Sequence, residues 1–240
     1  MKESFKLILS AENDKIEGQK LREDKMRIRK KVWARPELAA CPYYIESPRE
    51  LKGCWQERFG EKRPLYLDLG CGKCVYLAGE ALAQPQVNFV GIDISYDILG
   101  VGRRNIQEAF GEREPDNLLL CYYNIERLNE LFAPNEVDRL IINFCNPWPA
   151  AHCHKRRLTH TRQLEKYKPL LSEGGELWFK TDNDDLYLAT KRYLNEAGFE
   201  VYFDTKDLHS LNDPGNILTE HEVKFTAEGI RTKALRARKP

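Results

Sequence analysis

The sequence predicts an α/β fold, a mostly parallel sheet with helices on both faces. Three observations predict it. From residue 64 onward, short apolar runs alternate with amphipathic stretches, which is the rhythm of strands joined by crossover helices. The first run leads into a glycine-containing loop, LDLGCGKC. The second, NFVGID, ends in an acid, Asp93, about twenty residues further on, where a nucleotide-binding βαβ unit places its ribose acceptor.

In order, the strands are LYLDL, NFVGID, NLLLCYY, VDRLIIN, ELWFKTD and EVYFD. Amphipathic stretches over 75–84, 95–110, 126–132 and 184–197 lie between them. An apolar segment over 217–235 completes a Rossmann-like sheet of seven strands. Residues 1–60 differ: they carry charge and three prolines (Pro36, Pro42, Pro48) without sustained periodicity. They read as a basic, partly helical arm ahead of one domain over 61–240.

A formal charge of +1 over 240 residues hides an uneven distribution. Cations gather over 15–35, over 152–168 and in the tail Arg231, Lys233, Arg236, Arg238 and Lys239, a pattern that suits a polyanionic partner. The start of the chain has a short apolar patch with acids close behind, which fits neither a secretory signal nor a membrane span. Seven cysteines without framework spacing fit a reducing compartment, so a cytoplasmic protein is expected. Cys71 and Cys74 form C-x-x-C, yet no second pair follows at zinc-site spacing, and no metal is expected.

In LYLDLGCGKCVYL the glycine spacing is G-x-G, with Asp68 two residues before Gly70; a dinucleotide site would favour G-x-G-x-x-G. The arrangement resembles motif I of the class I S-adenosylmethionine methyltransferases. That resemblance implies S-adenosylmethionine as cofactor, with Asp68 near its methionine end, Gly70 and Gly72 under it and Asp93 on the ribose. Cys74 stands where a third glycine is usual. Asn124, after the third strand, is either an adenine contact or a turn residue.

The segment IINFCNPWPAAHCHKRRLTH, 141–160, starts as a strand and breaks where Pro147 and Pro149 bracket Trp148, since proline cannot continue a ladder or a helix. His152, His154, Lys155, Arg156, Arg157, His160 and Arg162 follow, and such donors suit phosphate oxygens. This segment is similar to the F-x-D-P-W-P-K-x-x-H-x-K-R-R-L stretch of bacterial tRNA (guanine-N7-)-methyltransferases. FKTDNDDLY resembles that family's T-D segment and NILTEHEVKFTAEGI its T-x-x-E signature, so the likeness spans about 42–232. The family acid is Asn146 in this chain, its lysine Ala150 and its histidine Cys153.

The resemblance implies methylation of a tRNA guanine at N7, at position 46 of the variable loop, by a monomer or homodimer. It places Asn146 at the reacting centre and beside the cofactor. Asp182 or Glu222 would accept from the guanine N1–H and amine, and Thr219 would touch the nucleotide or orient Glu222. Glu220 and His221 belong to the same substrate signature, and Lys155, Arg156 and Arg157 would hold phosphates. Trp148 is either a core residue or a base-stacking surface. Two other functions share parts of this pattern: an amino methyltransferase, through Asn146-Pro147-Trp148, and a noncatalytic RNA-binding relative.

Overall fold

The structure, a computed structural model, describes residues 30–240; most of the basic run over 15–35 lies outside the described residues. Among these, the strands are β1 (Tyr44–Ile45), β2 (Leu65–Leu69), β3 (Asn88–Asp93), β4 (Leu118–Tyr122), β5 (Val137–Asn143), β6 (Leu171–Thr181), β7 (Glu200–Thr205) and β8 (Lys233–Arg238). They form one sheet in the order β1-β4-β3-β2-β5-β6-β8-β7. Every neighbour pair is parallel except those of β8, which runs antiparallel to both β6 and β7.

The helices are α1 (Ala34–Ala39), α2 (Trp55–Phe59), α3 (Val75–Ala83), α4 (Tyr96–Phe110), α5 (Thr161–Tyr167), α6 (Asp184–Glu196) and α7 (Glu220–Ala227). β3 is buried at every position, as a central strand must be when helices cover both faces. Local caps set the helix starts: Ser95 accepts from Ile98 N at 3.4 Å and Asn183 from Leu186 N at 2.8 Å.

The seven expected strands become eight because β1 adds a two-residue edge, pairing Tyr44 with Leu120 and Ile45 with Cys121. The segment over 217–235 divides into α7 and β8, and 126–132 forms a 3₁₀ turn, Ile125–Glu130, in place of a longer helix.

Residues 34–59 differ most from the expected arm. Trp55 is fully buried, stacks on Phe132 at 5.0 Å and donates from Nε1 to Leu131 O at 2.9 Å. Ala34 packs into a notch on α4 where a Cβ on Gly100 would lie 2.5 Å from the Ala34 methyl. Glu37 pairs with Arg103 and Arg104 on the same helix. The compact unit therefore begins at Trp33. These elements are too short to show periodicity, and their prolines punctuate them: Pro48 opens a 3₁₀ turn.

The order reverses at β2, with β3 on one side and β5 on the other. Crossovers diverge there, and the carboxyl ends of β2 and β5 flank an open crevice.

Replacing Trp55 by Ala should cost about 3–5 kcal/mol of stability, as large buried aromatics do, measured by equilibrium urea denaturation. A loss below about 1 kcal/mol would place the 34–59 segment outside the cooperative core.

Candidate cofactor site and substrate face

The loop after β2 is held from both sides. Gly70 N donates to Ile92 O at 2.8 Å, which ties the loop to β3. Asp93 accepts from Gly72 N at 3.2 Å through Oδ2 and from Ser95 N at 2.9 Å through Oδ1. Gly70 and Gly72 adopt φ of 81° and 55°, a region open to glycine at little cost. Cys74 also has a left-handed φ, 58°, so it occupies a position built for glycine. Its sulfur fits because α4 carries Gly102 opposite, where a Cβ would fall 2.5 Å from Cys74 Sγ. The Cys71 and Cys74 sulfurs lie 3.6 Å apart as free thiols.

Beside this loop is a cavity of about 120 Å³, with Asp68, Gly70 and Gly72 on one side and Asn143, Phe144 and His221 on another. Asp68 is only 3% exposed. Burial, reinforced by the like charges of Glu80 and Asp93, pushes its carboxyl up to about 7; Lys180 offsets part of this. Burial also raises Asp93, against the backbone N–H donors of Ser95, Gly72 and Ile94. A buried carboxylate with so little compensation favours a cationic ligand. S-adenosylmethionine carries sulfonium and ammonium cations and a ribose diol. Asp68 suits the cations, so the cavity fits this cofactor; Asp93, the expected diol acceptor, lies outside the cavity lining and meets it through Gly72 N.

The N-P-W-P segment leaves β5 in strained backbone: Phe144 and Trp148 have φ of 50° and 44°. Such conformations persist where the surroundings over-determine them. Phe144 N donates to Lys180 O at 2.9 Å, and around Trp148 the determinant is Arg157, fully buried, whose Nε donates to Pro147 O at 2.7 Å; its Nη2 reaches Trp148 O at 3.4 Å and pairs with Asp185 at 2.5 Å. Arg157 is therefore a clamp on the loop, unlike the expected phosphate contact. Lys155 and Arg156 remain exposed, and Arg156 lies 5.1 Å above the half-buried Trp148 ring. Exposed Asn146 accepts from Trp148 N at 3.0 Å through Oδ1. It stands outside the cavity lining, which Asn143 and Phe144 of the same segment reach.

The T-x-x-E signature also differs from expectation. Thr219 and Glu222 form a reciprocal capping box at the start of α7. Glu222 is fully buried and paired with Lys180 at 3.2 Å, so its carboxylate is already engaged within the protein. Thr219 and His221 do line the cavity, together with Glu220, which pairs with Lys73 at 3.0 Å. His221 stacks near-parallel to Phe144, centroids 5.3 Å apart. Asp182 sits half-buried beyond β6, its carbonyl accepting from Lys233 Nζ at 2.7 Å. Exposed Asn124 caps the 125–130 turn by accepting from Glu126 N at 2.9 Å, the turn role. No group of three or more His, Cys, Asp or Glu among the described residues could hold a metal. No helix among them is long and apolar enough to cross a membrane.

A family profile described as "Putative methyltransferase" matches residues 62–235. A protein of Clostridium beijerinckii named tRNA (guanine-N(7)-)-methyltransferase is 47% identical over 89% of this chain and 99% of its own. One of the same name from Ruminiclostridium cellulolyticum is 42% identical over 88% of this chain and 91% of its own. The chain belongs to the tRNA (guanine-N7-)-methyltransferase family. The fold is shared more widely. The 16S rRNA methyltransferase KamB superposes with a TM-score of 0.55 at 15% identity, covering 77% of this chain and 92% of that one. An antibiotic-related methyltransferase gives 0.55 at 18% identity, covering 76% and 90%.

The expected departures, Cys74 from the superfamily's glycine loop and Asn146 from the family's N-P-W-P segment, have local explanations. Gly102 makes room for the Cys74 sulfur. The Asn146 carbonyl oxygen performs the loop-capping bond that a carboxylate oxygen would also make.

Asp68 generates a pH prediction. A free-protein carboxyl raised to about 7 is mostly neutral at pH 6 and charged at pH 8, so cofactor affinity should fall as pH is lowered across that range. Calorimetry with S-adenosylmethionine at both pH values checks this. Asp68→Asn should bind weakly and show little of the slope; an equally steep slope in that variant would assign it to another group.

Proposed function

We propose that this chain transfers a methyl group from S-adenosylmethionine to N7 of a guanine in tRNA, at position 46 of the variable loop, giving 7-methylguanosine. The observation that carries the reading is the N-P-W-P loop. It is clamped by Arg157 at the carboxyl end of β5, beside the cofactor cavity, in a chain whose relatives bear that activity in their names.

When bound, the cofactor supplies an electrophilic methyl group on a sulfonium. N7 already carries a lone pair, so no residue of the chain has to remove a proton. What the residues supply is placement. Asp68 and Asp93 hold the cofactor, and the clamped loop presents a fixed edge beside it. Because the Asn146 carbonyl oxygen is engaged with Trp148 N, its amide NH₂ is the free end, suited to donate to guanine O6 on the Hoogsteen edge. Asp182 is the carboxylate left to accept from N1–H and the exocyclic amine, since Glu222 is committed to Lys180. Lys155 and Arg156 take flanking phosphates. Reaching a structured loop guanine also requires drawing it out of its stack.

Incubation with labelled cofactor and unmodified tRNA, followed by nucleoside chromatography with mass detection, should yield 7-methylguanosine, and a transcript with adenine at position 46 should yield none. N6-methyladenosine or N2-methylguanosine would instead establish an amino methyltransferase. No product across many tRNAs would leave a noncatalytic RNA-binding relative.

Asn146 separates position from charge. Asn146→Asp keeps the loop cap and should stay within about tenfold of normal in single turnover, whereas Asn146→Ala loses cap and donor and should slow by about a hundredfold. Near-normal rates in the alanine variant, with tRNA affinity intact, would remove Asn146 from the reacting centre.

A further inference from the structure

Residues 212–219, between a 3₁₀ turn at His209–Leu211 and α7, have neither helix nor strand. They nevertheless lead into Thr219, Glu220 and His221, which wall the cofactor cavity. Some interaction has to fix their backbone. Lys180, next to last in β6, meets that need. Its ammonium donates to Asn216 Oδ1 at 2.6 Å, to Ile217 O at 3.2 Å and to the Glu222 carboxylate at 3.3 and 3.2 Å. All these acceptors come from one stretch of seven residues, 216–222.

A second feature docks the same stretch independently. Gly79 on α3 leaves a notch for Ile217, whose Cγ2 would lie 2.8 Å from a Cβ at that position. A buried ion pair is a poor source of net stability, because desolvating both charges offsets their attraction. It is effective at fixing a unique arrangement of the segment it gathers.

We propose that Lys180 is a positioning residue for the cofactor: through Asn216, Ile217 and Glu222 it sets Thr219, Glu220 and His221 as the outer wall of the cavity. This rests on the reading that the cavity takes S-adenosylmethionine. It removes Glu222 from the substrate face and gives the T-x-x-E signature a different job, in which Thr219 and Glu222 shape the wall and Lys180 anchors it. The Lys180 charge also acts on Asp68, where it opposes the rise in that carboxyl's pKa.

The test compares Lys180→Met, Lys180→Arg and Gly79→Ala in the full chain. S-adenosylhomocysteine affinity is read by calorimetry, tRNA affinity by filter binding, and kcat at saturating cofactor. Lys180→Met should weaken S-adenosylhomocysteine by about tenfold or more, Lys180→Arg should recover most of that, and tRNA affinity should stay within about twofold. Gly79→Ala improves helix propensity while displacing Ile217, and should weaken the cofactor selectively by about threefold or more. If Lys180→Met does not fold, Asn216→Ala, which removes the acceptor at 2.6 Å from the Lys180 ammonium, replaces it. Unchanged cofactor affinity in folded Lys180→Met, or in Asn216→Ala where it stands in, overturns the proposal whatever Gly79→Ala does, as does proportionate loss of cofactor and tRNA affinity. Because S-adenosylhomocysteine binding needs no tRNA, absence of 7-methylguanosine with these affinity changes intact would count against the guanine reading alone. Wild-type protein that does not bind S-adenosylhomocysteine would remove both.

Discussion

In a parallel sheet each crossover must return over one face, and where the strand order reverses, neighbouring crossovers leave in opposite directions. β2 is that strand here, and the space beyond its carboxyl end is left for a ligand. The rest of the site follows from this opening. Asp68 and the glycine loop come from β2, and Asn143 and Phe144 from β5 beside it, while Asp93 at the end of β3 holds the loop through Gly72 N. Thr219, Glu220 and His221 arrive from the distant C-terminal segment to close the outer side. The N-P-W-P loop emerges at the same rim because it is the continuation of β5.

An opening lined by buried charges has to be organised, and the buried charges divide by whether each is matched. Arg157 is engaged through Nε and Nη2 by two loop carbonyls and Asp185, while its buried Nη1 has no partner, and the loop it clamps is strained yet defined. Lys180 and Glu222 match each other. Asp68 is left with like charges nearby and only the partial offset of Lys180. Paired charges fix the walls, and of the buried carboxylates without an ion-pair partner, Asp68 lines the cavity, which is the arrangement expected when a ligand brings the missing cation.

Much of this was legible in the sequence because its determinants are local. The strand-loop-helix spacing of Asp68, Gly70 and Gly72, the acid ending NFVGID, and the prolines around Trp148 need no knowledge of the tertiary structure. Arg157 was not legible: Lys155, Arg156 and Arg157 look alike in sequence, and only the path of the loop over the third decides that it is buried. Glu222 carried a signal that was available, since T-x-x-E ahead of a helix is also the spacing of a capping box, but its partner Lys180 lies 42 residues away. The 34–59 segment hid for another reason. Its elements are shorter than the window over which periodicity shows, and its burial depends on Phe132 and Gly100, far along the chain.

The exchange of the family acid for Asn146 bears on what the proposed reaction asks of the site. Methyl transfer from a sulfonium to N7 conserves total charge and moves it from sulfur to purine. A carboxylate fixed near the sulfur favours the starting state, and one near the purine favours the product. With Asp68 on the cofactor side and an uncharged amide at 146, the electrostatic contribution to the barrier from these two positions is not favourable by itself. In the proposed reaction, Asp182 just beyond β6 is the carboxylate assigned to the purine side. A chain that has given up the nearer charge depends correspondingly more on holding N7, methyl and sulfur in line. That is what a loop of fixed geometry provides, and it accounts for the full burial of a guanidinium, with bonds to two carbonyls of that loop, behind a segment of only four residues, Asn146–Pro149.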